Sequence, residues 1–142
     1  MRELDRSEAL GLLASVSLGR IVFTEHALPA VRPVNHLVDG DDIVIRIHEV
    51  GALAALAAPV GGPGVVVAYE ADAIDPDTHL GWSVVVTGYA RSGCRAEDDE
   101  RYAALLHPGA GPPRTCTVRI RPDLVTGFRL DTAAPRIIPI CG

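Results

Sequence analysis

Two arginines and an amide side chain lie in a part of the chain that reads as a β-ribbon. The first arginine opens the run Arg32-Pro33-Val34-Asn35, and Arg46 lies in the apolar run that returns after a turn. A guanidinium presents a planar set of donors that matches two oxygens of a phosphate or carboxylate at once. The sequence therefore predicts that Arg32, Asn35 and Arg46 hold a small phosphorylated ligand against a sheet.

An ordinary structural role is open for the same side chains. Arginines on exposed strands commonly pair with a carboxylate of the chain, here Glu49, and such surface pairs contribute little to stability. Asn35 can equally serve to satisfy a neighbouring backbone group. The two interpretations differ in whether the guanidinium groups face a ligand or a carboxylate of the protein itself.

Histidines and cysteines form no pattern that is typical of a metal centre. The three cysteines, Cys94, Cys116 and Cys141, include no CxxC pair, and no two histidines are four residues apart. The sequence therefore predicts no metal site and no disulfide framework. A haem would still need an axial ligand, and His48, close to the proposed phosphate strand, is the residue to test for that role.

Composition narrows the possible functions. The 142 residues, of which 48% are hydrophobic and 22% charged, fit a single domain over residues 1–142. A net charge of −5 argues against binding to nucleic acid. All 13 Lys+Arg residues are arginines, which excludes lysine Schiff-base chemistry and P-loop nucleotide binding. Neither a signal segment nor an apolar membrane span is visible, so a cytoplasmic protein is expected.

A hairpin must bring the two arginines together, and the sequence predicts its strands at 30–38 and 43–47. Asp and Gly residues supply the turn. A four-residue loop at 39–42 collects more apolar cross-strand pairs on one face than a two-residue loop, and it sets Asn35 opposite Arg46. This loop pairs Val38 with Ile43, His36 with Ile45 and Val34 with Ile47.

The remaining pattern predicts a small, mostly β barrel with covering helices. Asp5 and Glu8 form a capping box for a first helix that runs to Leu18 and ends at Gly19. The run at 65–69 is apolar on both faces, as in a strand buried on both sides. Two further helices are predicted at 51–58 and 98–106. Further strands are predicted at 20–24, 82–90, 115–121 and 124–130, and the last two are expected to pair with each other. Residues 131–142 form a C-terminal tail.

Several segments, taken in order and spacing, resemble one known family. They are Gly19-Arg20-Ile21-Val22-Phe23, Arg32-Pro33-Val34-Asn35, Ile45-Arg46, Leu53-Ala54-Ala55-Leu56 and Gly81-Trp82-Ser83-Val84-Val85-Val86-Thr87-Gly88. Over residues 5–130 the set resembles the pyridoxamine 5′-phosphate oxidase-like proteins with an FMN-binding split barrel, particularly the short bacterial members. That resemblance implies a six-stranded split barrel, a homodimer with FMN in grooves at its interface, and hydride transfer to or from a small molecule.

The resemblance also assigns residues. The run from Arg32 through Pro33 and Val34 to Asn35 would border the flavin, and Arg46 would hold its phosphate. Trp82 and Ser83 match a segment near the cofactor or the dimer contact.

One departure from the family pattern concerns the phosphate site. Many relatives have Gly-Ser-Lys or a similar basic stretch where this chain has Val50-Gly51-Ala52. Backbone N–H groups of Gly51 and Ala52, at the start of the predicted second helix, would have to complete the site. One alternative is a non-catalytic protein whose altered groove holds haem, another small molecule or a partner chain. A second is a reductase that uses a deazaflavin coenzyme, which shares this fold, although the absence of lysine counts against its longer anionic tail.

Overall fold

The computed structural model describes residues 1–48, 51, 53, 56, 62–93, 96–106 and 115–131. Predictions on Glu49, Ala52, most of the helix at 51–58 and the tail lie outside these residues. The elements in chain order are β1 (Arg2–Glu3), α1 (Arg6–Ala14), β2 (Leu18–Glu25), β3 (Leu28–Asn35), β4 (Leu37–Asp39), β5 (Asp42–His48), β6 (Val65–Ile74), β7 (Gly81–Ser92), α2 (Ala96–Leu105), β8 (Thr115–Ile120) and β9 (Leu124–Leu130).

One antiparallel sheet of nine strands curls into a half-barrel, which confirms the predicted mostly β, split-barrel class. The strand order is β3-β2-β6-β7-β8-β5-β4. Strand β9 pairs with the first part of β7, on the same edge that β8 pairs with at its end, and β1 pairs with β9. The count is nine rather than the expected six, partly because β1 and β4 have only two and three residues. Within the described residues, neither helix is long and apolar enough to cross a bilayer.

Alternate residues of the long strands fill the inner side of the curled sheet. Ile43, Ile45 and Ile47 of β5 are at most 1% exposed, and α1 adds Leu13 to the same core. The predicted cap of α1 is confirmed, because the Asp5 carboxylate accepts a hydrogen bond from the Glu8 N–H at 2.8 Å. The helix ends earlier than predicted, since Leu18 and Gly19 already pair with β3.

The outer side of the sheet has two parts that differ in cover. Over β5 and β8 lies α2, whose Tyr102 is fully buried together with Val44; we call this part the covered face. Over β3, β2 and β6 no described element packs, and we call that part the uncovered face. Its exposed or half-buried apolar side chains are Leu18, Val22, Val31, Val66 and Ala68. Val66 is 57% exposed, so the prediction that residues 65–69 are buried on both faces is wrong.

The predicted hairpin is correct only near its turn. Val38 lies opposite Ile43 as predicted, but Asp39 and Asp42 also pair, which leaves a two-residue turn. Before that point the chain belongs to another ladder, because β3 pairs with β2 and sets Asn35 opposite Leu18 rather than Arg46. The predicted pairs of His36 with Ile45 and Val34 with Ile47 are therefore wrong.

An unexpected tight turn explains this change of partner. His26 and Ala27 join β2 to β3 with φ values of 51° and 64°. Turns of this kind usually contain Gly or Asn, because other residues are strained at positive φ.

The predicted pairing of β8 with β9 is also wrong, because both strands pair with β7 instead.

Candidate functional site

His36 is the point at which the chain leaves β3 and enters β4. The backbone N–H of His36 donates to the Ser17 carbonyl at 2.9 Å, and the imidazole ring is buried. Nε2 donates to the Leu13 carbonyl at 2.9 Å, so Nδ1 must accept from the Tyr69 hydroxyl at 2.5 Å. Burial lowers the pKa of His36, which keeps the ring neutral in this arrangement. The ring therefore fixes the end of the segment 32–35 to α1 and β6.

A glycine makes room for this contact. A Cβ built on Gly19 would lie 2.5 Å from the Tyr69 hydroxyl oxygen, closer than van der Waals contact allows. Because Gly19 has no side chain, the phenol of Tyr69 can pass across β2 to reach His36. The first glycine of the family-like run thus has a packing role in this chain.

Beside this anchor lies a groove of about 940 Å³, which we call the main groove. It opens between the end of α1, the outer side of β2 and β3, and the end of α2. Its polar side chains include Arg20, Asn35 and Asp72, and its apolar ones include Leu18 and Leu106. A concave, mixed surface of this size can hold a nucleotide-sized molecule.

The only arginine that lines the described part of the main groove is already occupied. Arg20 Nη1 donates to Glu70 Oε2 at 3.0 Å and to Asp72 Oδ2 at 3.3 Å. Burial, with Asp72 beside it, raises the pKa of Glu70 to about 7. Two carboxylates facing one guanidinium disfavour a phosphate at this point. This trio was not predicted from the sequence, although Glu70 and Asp72, two positions apart on a strand, share a face.

Arg32 is exposed and available. Its Nη1 donates only to the neighbouring Val31 carbonyl at 2.8 Å, and no ion pair involves it within the described part of the chain. Directly opposite in the ladder is the buried Ile21, so Arg32 projects from the inner side of the sheet at its edge. This guanidinium can meet an anion without breaking an existing contact.

Arg46, in contrast, is held by the protein. Its side chain is 9% exposed, and Nη1 donates to Asp99 Oδ1 at 2.8 Å and to Thr117 Oγ1 at 2.9 Å. Nη2 donates to Thr115 Oγ1 at 2.6 Å. Since Arg46 pairs with Thr117 on the covered face, it projects from the outer side of the sheet. A single chain therefore does not bring Arg32 and Arg46 together.

The other residues assigned by the resemblance are dispersed. Pro33 and Asn35 line the main groove, and Val34 packs against the core. Trp82 is 7% exposed within the core, whereas Ser83 lies on the outer side opposite Phe128. Gly51 is exposed with φ 114°, and Ala52 lies outside the described residues.

His48 is unusual among the histidines. Both of its ring nitrogens are buried, and neither has a hydrogen-bond partner among the described residues. Buried polar atoms are normally paired, so this ring is a candidate for contact with a bound molecule. No cluster of three or more His, Cys, Asp or Glu side chains suited to a metal ion occurs in the described ranges.

The curled sheet and the groove beside β3 define a protein of the split-barrel class. A family model described as pyridoxamine 5′-phosphate oxidase matches residues 5–134. The chain therefore belongs to the pyridoxamine 5′-phosphate oxidase-like family, which confirms the resemblance seen in its sequence. It is also 48% identical over 128 residues to the uncharacterized protein Rv0080 of Mycobacterium tuberculosis, covering 90% of this chain and 84% of that protein.

Solved structures agree with this assignment. An FAD binding protein from Mycobacterium smegmatis is 33% identical, with a TM-score of 0.69 over 90% of this chain and 98% of its own. A putative pyridoxamine 5′-phosphate oxidase from Corynebacterium glutamicum is 34% identical, with a TM-score of 0.66 over 89% and 90%. A FAD and heme binding protein from Mycobacterium smegmatis, 16% identical with a TM-score of 0.71 over 96% and 77%, shares the fold.

Proposed function

We propose that this protein is a flavin-binding oxidoreductase that transfers hydride between its cofactor and a small molecule. Three findings support the proposal: the family membership, the FAD-binding relative at 33% identity, and the main groove. The main groove is the observation on which the proposal chiefly rests. It has a volume of about 940 Å³, and Pro33 and Asn35 line it. These are the residues that the family resemblance sets next to the flavin.

The residues present fit a flavin nucleotide in part. Arg32 has no carboxylate partner among the described residues, but it projects from the inner side of the sheet and does not line the main groove. It would hold a phosphate oxygen of a flavin whose phosphate reaches round the edge strand β3. His36, bonded on both ring nitrogens, would keep Pro33 and Asn35 at the groove wall. When bound, the flavin would supply the hydride chemistry, and the protein would orient it and leave one side open to substrate.

Arg46 can serve as a phosphate ligand only in competition with Asp99. Its guanidinium already makes hydrogen bonds to Asp99, Thr115 and Thr117, and a phosphate would have to displace the carboxylate or share the remaining donors. Because one chain does not bring Arg46 near Arg32 or into the main groove, Arg46 would contact the phosphate only from the partner subunit of the proposed dimer.

Absorbance of the purified protein, followed by titration of the apoprotein, tests the proposal. We expect a flavin spectrum and tight binding of FMN, the cofactor predicted from the sequence. FAD is the second ligand to titrate, because the relative from Mycobacterium smegmatis binds it. A deazaflavin coenzyme is the third. Protein that is colourless and binds none of the three would contradict the proposal.

Haem is a second candidate with one supporting observation, the buried and unbonded ring nitrogens of His48. A Soret band that disappears in His48→Ala would support it. A haem spectrum unaffected by that change, or no haem uptake, would remove it.

We propose further that the protein is a homodimer joined through the uncovered face. Val31 and Val66, with exposed fractions of 48% and 57%, lie on this part of the sheet, and exposed apolar surface of this kind is typical of an interface. A second copy of the chain is the partner that fits best, because the family resemblance implies a dimer with the flavin at its interface.

A further inference from the structure

A second cavity, of about 600 Å³, lies where β7 meets β8, and three arginines line it. Arg91 and Arg119 are direct partners in the β7–β8 ladder. One step beyond, the Arg121 N–H donates to the Tyr89 carbonyl at 3.3 Å, which continues the same register. The side chains of Tyr89, Arg91, Arg119 and Arg121 therefore share one side of the sheet, about 5 Å apart across the strands and about 7 Å along them. We call this cavity the arginine pocket.

The lining of the arginine pocket carries more positive than negative charge, although Asp123 pairs with Arg121 at 2.8 Å and Asp39 lies 3.8 Å from Arg119 Nη1 beside it. Three guanidinium groups line the pocket, and Asp42 is the one carboxylate among its described lining residues. The chain as a whole has a net charge of −5. Arg91 and Arg119 are directly opposite each other on paired strands, and like charges in such positions repel. An anion between them would remove that repulsion.

The arginines are held in a way that leaves donors free. In Arg91, Nε donates to the Pro63 carbonyl at 3.2 Å, and in Arg121, Nε donates to Asp123 Oδ1 at 2.8 Å. Neither residue uses its terminal nitrogens in a contact with the described part of the chain. Both side chains are therefore oriented by the protein while the ends of their guanidinium groups stay available.

The third arginine is more firmly fixed. Arg119 Nε donates to Asp42 Oδ2 at 3.2 Å, and Nη1 donates to the Tyr102 hydroxyl of α2. It is 29% exposed, which leaves part of it in contact with the pocket. One rigid and two oriented guanidinium groups make a preorganised anion site, because little side-chain freedom is lost on binding.

We propose that the arginine pocket binds a small anion that carries a diphosphate group. Three guanidinium groups offer more donors than one carboxylate needs, and a diphosphate has enough oxygens and charge to meet them. The Tyr89 hydroxyl at the same side can add a hydrogen bond. This site is separate from the main groove, and it does not depend on flavin binding.

Calorimetric titration with inorganic pyrophosphate at constant ionic strength tests the site. We expect saturable binding with one pyrophosphate per chain. In Arg91→Gln and in Arg121→Gln the dissociation constant should rise at least about tenfold, because each loses charge-assisted hydrogen bonds. ADP as a second ligand shows whether the diphosphate is recognised alone or as part of a nucleotide.

Arg2→Gln is the matched control, since Arg2 is an exposed arginine on β1, outside the pocket, and the charge change is the same. It should bind pyrophosphate as the native protein does. Absence of saturable binding, or equal weakening in Arg2→Gln, would overturn the proposal.

Flavin absorbance separates this site from the proposed flavin site. Arg91→Gln should keep the flavin absorbance of the native protein, and Arg32→Ala should keep pyrophosphate binding. Loss of flavin in Arg91→Gln would instead make the pocket part of the flavin site.

Discussion

The covered and uncovered faces are two parts of the outer side of one sheet, and they differ in whether their apolar side chains are buried within the chain. On the covered face, α2 buries Val44 under Tyr102, whose hydroxyl donates to Asp39 and accepts from Arg119. On the uncovered face, Val31 and Val66 remain exposed within the single chain. The described part of the chain thus supplies a cover for one face only, and the proposed dimer would supply the cover of the other.

The same contrast applies to the two arginines of the proposed phosphate site. Arg46, under α2, is bonded to Asp99 and two threonines, whereas Arg32 bonds only a neighbouring carbonyl. An arginine that is covered by another element of the same chain, as Arg46 is by α2, makes hydrogen bonds within the protein and has a structural role. An arginine at an uncovered edge stays available for a ligand.

Removal of the Tyr102 side chain should have the largest effect on stability. Tyr102→Ala leaves a cavity under α2 and should lower the free energy of unfolding by about 3 kcal/mol or more. Tyr89→Ala is the control, because Tyr89 is 39% exposed and its loss should cost under about 1 kcal/mol. Urea denaturation measures both values, and equal losses would contradict the packing role of Tyr102 on the covered face.

A charge on the uncovered face should prevent dimer formation. Val66→Asp would bury an unpaired carboxylate in the proposed interface, and we expect the dimer dissociation constant to rise at least about 100-fold. Sedimentation measures it, with circular dichroism to show that the fold is kept. Leu28→Asp, the same kind of change at the exposed end of β3, should leave the dimer intact. A native protein that is monomeric at micromolar concentration would contradict the proposed dimer.

Arg46→Ala and Arg32→Ala should separate structural from ligand-binding roles. Loss of the Arg46 hydrogen bonds should lower the stability of the apoprotein by about 2 kcal/mol. Arg32→Ala should leave apoprotein stability within about 0.5 kcal/mol, and weaken flavin binding by about 1–3 kcal/mol. Denaturation and flavin titration give the two readouts. Unchanged flavin affinity in Arg32→Ala would remove it from the phosphate site.

The smallest effects concern pH, and they should have opposite signs on the two faces. On the covered face, a hydrogen bond from Tyr102, followed by Arg101, lowers the pKa of Asp39. Its contribution to stability should be present above its unfolded-state pKa and be lost as pH falls. On the uncovered face, the pKa of Glu70 is raised from 4.5 to about 7, so its contribution should be present at low pH and be lost as pH rises between these values.

Asp39→Asn should remove the loss of stability that occurs as pH falls. Glu70→Gln should remove the loss that occurs as pH rises. The pH dependence of the free energy of unfolding measures both. For Glu70 we expect a change under about 1 kcal/mol, because its partner Arg20 is exposed and its surroundings are screened by solvent. Glu100→Gln, an exposed residue of α2, is the control. Slopes of the same sign for both residues would contradict the assigned environments.

Elements with strong local signals could be predicted from the sequence. The cap at Asp5, the helix α2 and the long strand β7 follow from residues close together in the chain. The turn at His26 and Ala27 could not be predicted, because its positive φ values are imposed by the pairing of β2 with β3. Because this turn was not predicted, the segment that forms β3 was predicted to pair with β5, whereas it pairs with β2.

The candidate site was only partly predictable for the same reason. The residues of 32–35 carry a family signal, and Pro33 and Asn35 do line the main groove. The partner of Arg46 is 53 residues away on α2, and no local pattern indicates it. The contact of His36 with Tyr69 depends on the absent side chain of Gly19, which is also non-local.

The hairpin of β6 and β7 has a consequence for how the protein reaches its native state. Ten residue pairs join these strands, and the Asp75 carboxylate accepts N–H bonds from Asp77 and Thr78 within the short connection. Contacts between residues close in sequence form at the smallest loss of chain entropy. We therefore expect this hairpin to nucleate folding, with β2, β8 and β9 adding to its edges afterwards. A slow step in refolding should then reflect the distant ladder of β5 and β8 rather than the centre of the sheet.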